Sequence, residues 1–123
     1  MLTELLVPRP GSGELGLLSP ALARLTHGIS SDISRDISTR WAMLIAPPWI
    51  PYAPGLCWQG LALDRVLMVR VRQPPEVFWV MDETLRSGAC AGVIAWAGTA
   101  AVQRVGYPLL QRLHLLAGRQ QAW

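Results

Sequence analysis

The sequence LTELLVPRPGSGEL, at residues 2–15, decides the fold prediction. A short apolar run at 2–7 leads into a turn rich in proline and glycine at 8–13. Leucines at helical spacing follow, which predicts a helix from Glu14 to about Thr26 with Ser12 or Gly13 as its cap. A strand that enters a helix through a glycine-rich turn is the first unit of an α/β domain with a parallel sheet.

The rest of the chain alternates apolar runs with amphipathic stretches. We predict further strands at 41–46, 66–71 and 91–97, and helices at 51–60, 74–86 and 101–121, the last interrupted at Gly106, Tyr107 and Pro108. The run 91–97 is the most continuously apolar, so we expect it to be the central strand, covered on both faces. Residues 28–40 repeat small polar residues and isoleucine, which predicts a flexible surface insertion. We therefore expect a single domain over 1–123.

The composition limits the chemistry. Of 123 residues, 51% are hydrophobic and only 15% are charged, so we expect a face that a partner covers. All 11 basic residues are arginine, which excludes Schiff-base chemistry and the lysine of a nucleotide P-loop. A net charge of +3 is weak for a nucleic-acid-binding protein, and the C-terminal arginines support at most weak, salt-sensitive DNA contact.

The glycine-rich turn resembles a phosphate-binding loop that has lost its ligands. Backbone N–H groups at such a turn suit an anion, but a P-loop also needs lysine followed by serine or threonine. This chain has a degenerate version, in which a carboxylate follows the last glycine: Pro10, Gly11, Ser12, Gly13, Glu14. The run 91–97 also ends without the aspartate that holds magnesium in ATPases. We predict no cofactor, and residual ATPase activity is disfavoured.

Other chemical sites are also not predicted. Cys57 and Cys90 lack CxxC spacing, and His27 and His114 have no acidic or cysteine neighbour at ligand spacing, so we predict no metal site and no catalytic residue. The N-terminus does not resemble a signal peptide, and no apolar run reaches the roughly 18 residues of a membrane span. These features predict a cytoplasmic protein that does not contact membranes.

Aromatic and arginine side chains are the candidate partner contacts, because tryptophan and arginine are enriched in interface hot spots. Core packing is the competing interpretation, above all for Trp41 and Trp96. We selected Trp123 and the following residues: Trp49, Tyr52, Trp58, Trp79, Arg86, Arg104, Arg112 and Arg119.

Several segments together carry a family resemblance. The turn and Glu14, the stretch 41–48, the sequence Pro51-Tyr52-Ala53-Pro54, the stretch 83–97 and Leu110-Gln111-Arg112-Leu113 occur in an order that resembles a degenerate branch of the RecA-like ATPases. This branch contains the ImuA-type accessory proteins of translesion DNA synthesis and the SulA-type inhibitors of cell division. The stretches 41–48 and 88–96 are similar to both groups, while 51–54 favours ImuA.

The resemblance implies a three-layer, RecA-like, P-loop-derived domain with a mostly parallel sheet flanked by helices, shortened at both ends. It implies a non-catalytic accessory protein of SOS-induced, error-prone translesion synthesis, acting by protein–protein interaction. The implied partners are an ImuB-like homologue of Y-family polymerases, an error-prone polymerase and RecA. The alternative is a SulA-like inhibitor that binds FtsZ and blocks its polymerisation. A shortened sheet would expose a strand edge and favour homo-oligomers.

Overall fold

The protein, described by a computed structural model over residues 2–27, 40–120 and 122, is a small α/β fold. The elements in chain order are α1 (Glu14–Thr26), β1 (Trp41–Ile45), α2 (Ala53–Trp58), a 3₁₀ turn (Leu63–Arg65), β2 (Val66–Val69), α3 (Glu76–Ser87), β3 (Cys90–Ala95) and α4 (Thr99–Gln120). The strands form one parallel sheet in the order β2-β1-β3. All four predicted helices are confirmed, as are three of the four predicted strands.

Helix α1 begins where its local sequence requires it to begin. Gly13 is the N-cap, with a φ of 106° that an L-residue rarely adopts. Pro20 lies inside the helix and has no N–H to donate to the carbonyl of Gly16. The hydroxyl of Ser19 donates to that carbonyl instead, at 3.2 Å. The predicted bounds and the Gly13 cap are both confirmed.

Two apolar clusters pack on opposite faces of the sheet. Ile94 packs with the cluster of α1, β1 and α2, and its neighbour Val93 packs with the cluster of α3 and α4. Successive strand residues point to opposite faces, so β3 is covered by both clusters. The buried residues of the first cluster are Leu22, Ala42, Leu44, Leu56 and Leu61, and those of the second are Phe78, Leu85, Leu113, Ala117 and Ala122.

The expectation of a three-layer RecA-like, P-loop-derived domain is wrong. Residues 2–7 form no strand, so no strand leads into the glycine-rich turn, and within the described residues the sheet has three strands. The apolar character of Leu5 and Leu6 misled the prediction, because both side chains are exposed rather than paired in a sheet. The expected central position of the run 91–97 is also wrong, because β1 lies between the other two strands.

The last helix is broken where its sequence predicted a break. Gly106 has a φ of 68° and a ψ of 158°, which is outside the helical region, and Pro108 follows it. The predicted insertion at 28–40 falls mostly outside the described residues, and the single-domain organisation stays a prediction. No helix within the described ranges combines the length and apolar character that crossing a membrane requires.

Candidate functional site

The carboxylate of Glu14 occupies the N-terminus of α1. Its Oε1 accepts hydrogen bonds from the backbone N–H of Gly11, at 2.8 Å, and from the indole Nε1–H of Trp96, at 3.1 Å. The hydrogen bond from the Gly11 N–H is the main cause that lowers the pKa of Glu14. The backbone N–H of Glu14 and the Trp96 indole lower this pKa further, whereas burial raises it. The group is therefore held in its charged form at the positive end of the helix dipole.

The strand register brings Trp96 to this turn. The backbone N–H of Trp96 donates to the carbonyl of Ile45 at 3.0 Å, so the β1–β3 pairing continues past the end of β3. The Trp96 side chain then reaches the start of α1. The place where an external phosphate would meet the free N–H groups of this helix is thus taken by the chain's own carboxylate. The absence of a nucleotide ligand stays a prediction, and this arrangement supports it.

The loop after β1 projects aromatic side chains at the carboxyl edge of the sheet. Trp49, Ile50 and Tyr52 are 70%, 71% and 74% exposed. The loop contacts the glycine-rich turn, because a side chain at Gly11 would place its Cβ 3.1 Å from Nε1 of Trp49. A groove of about 430 Å³ runs beside the loop, with Arg70 among its lining residues. Ile50 and Arg70 were not among the predicted contacts. Ile50 follows the strand predicted at 41–46, which was the available signal, whereas Arg70 fell inside the strand predicted at 66–71.

Trp58 and Trp79 lie on different faces of the sheet. Trp58 ends α2, whose Leu56 packs in the α1-side cluster, and it is 90% exposed. Trp79 lies on α3, whose Phe78 packs in the α4-side cluster, and it is 66% exposed. We call Trp49, Ile50, Tyr52 and Trp58 the aromatic surface. Three of the predicted aromatic residues thus lie exposed within residues 49–58, and Trp79 lies on the other face of the sheet.

The predicted arginines belong to the α3–α4 side. Arg86 Nε and Arg112 Nη2 each lie 2.8 Å from Oδ2 of Asp82, and both side chains remain about half exposed. Two guanidinium groups thus share one carboxylate that links α3 to α4. Arg104 and Arg119 are exposed on α4. Arg86 and Arg112 thus have a structural role between α3 and α4, and Arg104 and Arg119 lie on the surface of α4, away from the aromatic surface. Trp123 lies outside the described residues.

The described residues provide no group of three side chains with the chemistry of metal ligands. His27 is engaged by the backbone, with its Nε2 2.6 Å from the carbonyl oxygen of Gly60. His114 is exposed on α4. Cys57 is exposed and Cys90 is buried, and both thiols are free.

Ala46 starts the aromatic loop with a φ of 53°, in the left-handed region. Because this conformation costs an L-residue about 1–2 kcal/mol, Ala46→Gly is expected to raise the free energy of unfolding by up to about 1 kcal/mol after the extra chain entropy of glycine is subtracted. Chemical denaturation measures the change. The matched control is Ala62→Gly at a φ of −77°, which is expected to destabilise. If both variants change the free energy of unfolding in the same direction, Ala46 is not under backbone strain.

The class of protein follows from this geometry. Over the described residues it is a small α/β protein with a three-stranded parallel sheet and four helices, and a carboxylate of the chain itself occupies the N-terminus of α1. No protein-family model matches the chain, and no curated protein matches it. Among solved structures, the chain is similar to the crystal structure of SulA from Pseudomonas aeruginosa, with 26% sequence identity and a TM-score of 0.67. The match covers 98% of this chain and 90% of that chain.

The match supports a SulA-like fold, which is the SulA side of the sequence resemblance. It does not support the ImuA-type assignment, which rested on short segments such as residues 51–54. The RecA-like description of the fold is replaced by the SulA-like one.

Proposed function

We propose that this protein is a SulA-like inhibitor of cell division that binds FtsZ and blocks its polymerisation as part of the SOS response. The observation that carries the proposal is the similarity to SulA at 26% identity over nearly the whole of both chains. The sequence stretches 41–48 and 88–96, which are similar to SulA-type proteins, lie in β1 and β3 and in the residues around them. Both stretches thus belong to the sheet that carries the aromatic loop.

The proposed mechanism is binding without catalysis. A bound inhibitor that covers a subunit contact of the FtsZ polymer acts in proportion to its amount, and it needs no nucleotide of its own. The position of the Glu14 carboxylate at the helix N-terminus fits such a protein, because an anionic ligand there would meet a fixed negative charge. We infer that the chain is not an enzyme.

The aromatic surface is the part of the chain that we propose to contact FtsZ. Its members expose large apolar area around rigid rings, which is the composition of interface anchors. Trp58 is the most exposed large hydrophobic residue among those described, at 90%. Its burial by a partner therefore removes more apolar area from water than burial of any other ring in this surface.

The test is polymerisation of purified FtsZ from the source organism with GTP, followed by sedimentation and light scattering. Stoichiometric addition of the intact chain is expected to abolish polymer formation. Trp58→Ala is expected to weaken inhibition by roughly tenfold or more, as for an anchor residue. The control is Trp79→Ala, an exposed tryptophan on the opposite side, which is expected to inhibit like the intact chain. Normal FtsZ polymerisation in the presence of the folded chain would refute the proposal.

The translesion accessory role remains the second candidate, and it rests on the ImuA-like sequence segments alone. It requires binding to an ImuB-like protein, an error-prone polymerase or RecA instead of FtsZ. The comparisons give these partners no support. The FtsZ assay separates the two roles, because a translesion accessory protein is not expected to change FtsZ assembly.

A further inference from the structure

Two rings of the aromatic surface lie directly against glycines. A Cβ atom at Gly55 would lie 3.1 Å from Cδ1 of the Tyr52 ring. A Cβ atom at Gly11 would lie 3.1 Å from Nε1 and 3.4 Å from Cδ1 of the Trp49 ring. Non-bonded carbon atoms prefer a separation of about 3.5–4.0 Å. Each ring therefore occupies space that a side chain at the glycine would otherwise need.

These contacts place rings that are otherwise mostly in solvent. Trp49 and Tyr52 are 70% and 74% exposed, so their remaining contacts with the chain decide where the rings lie. Binding to a partner immobilises an exposed side chain in one rotamer, and the lost rotamer freedom lowers the affinity. A ring that already lies against the backbone in the free chain loses less freedom. The two glycines thus prepare Trp49 and Tyr52 for a partner.

The backbone at Gly11 is itself held by the Glu14 carboxylate. The Gly11 N–H donates to Oε1 of Glu14 at 2.8 Å, and the same oxygen accepts the Trp96 indole N–H at 3.1 Å. Gly11 has a φ of 83°, which an L-residue rarely adopts. The surface against which Trp49 lies is therefore fixed to the start of α1 and to the end of β3.

We propose that Gly11 and Gly55 are positioning residues, which hold the rings of Trp49 and Tyr52 in the orientation in which the aromatic surface meets its partner. This inference rests on the proposed binding of FtsZ by that surface. The glycines act through the rings, because they have no side chain to present. The Tyr52 ring is exposed and can move aside for a methyl group at Gly55, so Gly55→Ala displaces the ring and leaves the fold intact.

The first test is made by NMR on the chain without a partner. NOEs are expected between the Hα protons of Gly55 and the ring protons of Tyr52, and between the Hα protons of Gly11 and the indole protons of Trp49. In Gly55→Ala the Tyr52 ring is expected to lose its NOE to the Hα at position 55. The melting temperature checks that this variant is folded.

The second test measures inhibition of FtsZ polymerisation. Gly55→Ala is expected to weaken inhibition by about threefold to tenfold, the effect of losing one pre-organised ring. In a Tyr52→Ala background the same change is expected to have no further effect, because the displaced ring is absent. The control is Gly118→Ala in α4, where a Cβ would have no heavy atom of the described residues within 4 Å, and it is expected to inhibit like the intact chain.

Gly11 has a control of its own in the same turn. Gly11 and Gly13 have φ values of 83° and 106°, so alanine is strained at both positions, but only at Gly11 would its Cβ meet a ring. At a temperature where both variants are folded, Gly11→Ala is expected to inhibit FtsZ at least about threefold more weakly than Gly13→Ala. In a Trp49→Ala background this difference is expected to disappear.

The outcomes separate this inference from the proposed function. The positioning role is overturned if the intact chain inhibits FtsZ but the NOEs are absent, if Gly55→Ala inhibits like the intact chain, or if Gly55→Ala weakens inhibition equally in the Tyr52→Ala background. If the intact chain shows the NOEs and does not inhibit FtsZ, the rings are placed as described. The proposed function is then refuted, and the role of the glycines in FtsZ binding is refuted with it.

Discussion

Glu14→Ala is expected to lower the free energy of unfolding by about 2 kcal/mol, because hydrogen bonds to a charged group contribute about 1.5–3 kcal/mol. The variant removes the acceptor of the Gly11 N–H and of the Trp96 indole N–H. It also removes the negative charge at the start of α1. Chemical denaturation followed by tryptophan fluorescence measures the change. Glu4→Ala, at an exposed glutamate in the N-terminal segment, is the control and is expected to change stability by less than about 0.5 kcal/mol.

The contribution of Glu14 is expected to depend on pH. The folded pKa of Glu14 lies below the ordinary value of 4.5, so the folded state favours the carboxylate. The resulting stability is fully present above pH 4.5 and is lost as the pH falls through the folded pKa. Glu14→Gln keeps an acceptor but not the charge, so the stability gap between the intact chain and this variant is expected to close below that range. If the difference in free energy of unfolding between the intact chain and Glu14→Gln stays constant from neutral to acidic pH, the Glu14 carboxylate charge does not stabilise the fold.

Leu113→Ala is expected to lower the free energy of unfolding by about 3 kcal/mol, as for a fully buried leucine. Leu113 is 0% exposed and lies in the cluster that joins α4 to Phe78 and Leu85 of α3. The surrounding residues come from two helices whose backbones limit collapse into the new cavity. Thermal and denaturant unfolding measure the loss.

The control for Leu113 lies on the same helix. Leu115 is 53% exposed, so Leu115→Ala removes the same atoms with little change in burial, and the expected loss is below about 0.5 kcal/mol. Equal losses for both variants would mean that α4 is held by contacts other than this cluster. At temperatures where the Leu113 variant stays folded, the proposed inhibition of FtsZ is expected to persist, because Trp58 ends the helix that packs on the other side of the sheet.

The local signals in the sequence predicted local structure well. Gly13 and the leucine spacing placed α1, and the helix predicted at 74–86 ends in the structure at Ser87, before Gly88 with a φ of 67°. Both depend on residues within a few positions of each other. The strand predicted at residues 2–7 failed because a strand needs a pairing partner, and an apolar run does not specify one. Strand order failed for the same reason, since nothing near β1 in sequence marks it as central.

The candidate site was predictable in composition but not in arrangement. The sequence showed that Glu14 follows the glycine-rich turn, but the Trp96 indole that binds it comes from the far end of β3. The exposed positions of Trp49 and Trp58 could not be separated from core packing by sequence, because exposure depends on what each element packs against. Arg86 and Arg112 were predicted as partner contacts, and their shared Asp82 became visible only when α3 and α4 were placed side by side.

The order of the strands has a consequence for synthesis. β1 lies at the centre of the sheet, but β3, one of its two neighbours, follows only after β2 and α3 have been made. Ribosomes add about 5–20 residues per second, so a nascent β1 waits on the order of a few seconds for that neighbour. During this interval its open edge is accessible to chaperones. We expect the amount of folded protein in a cell to depend on nascent-chain chaperones more strongly than its small size suggests.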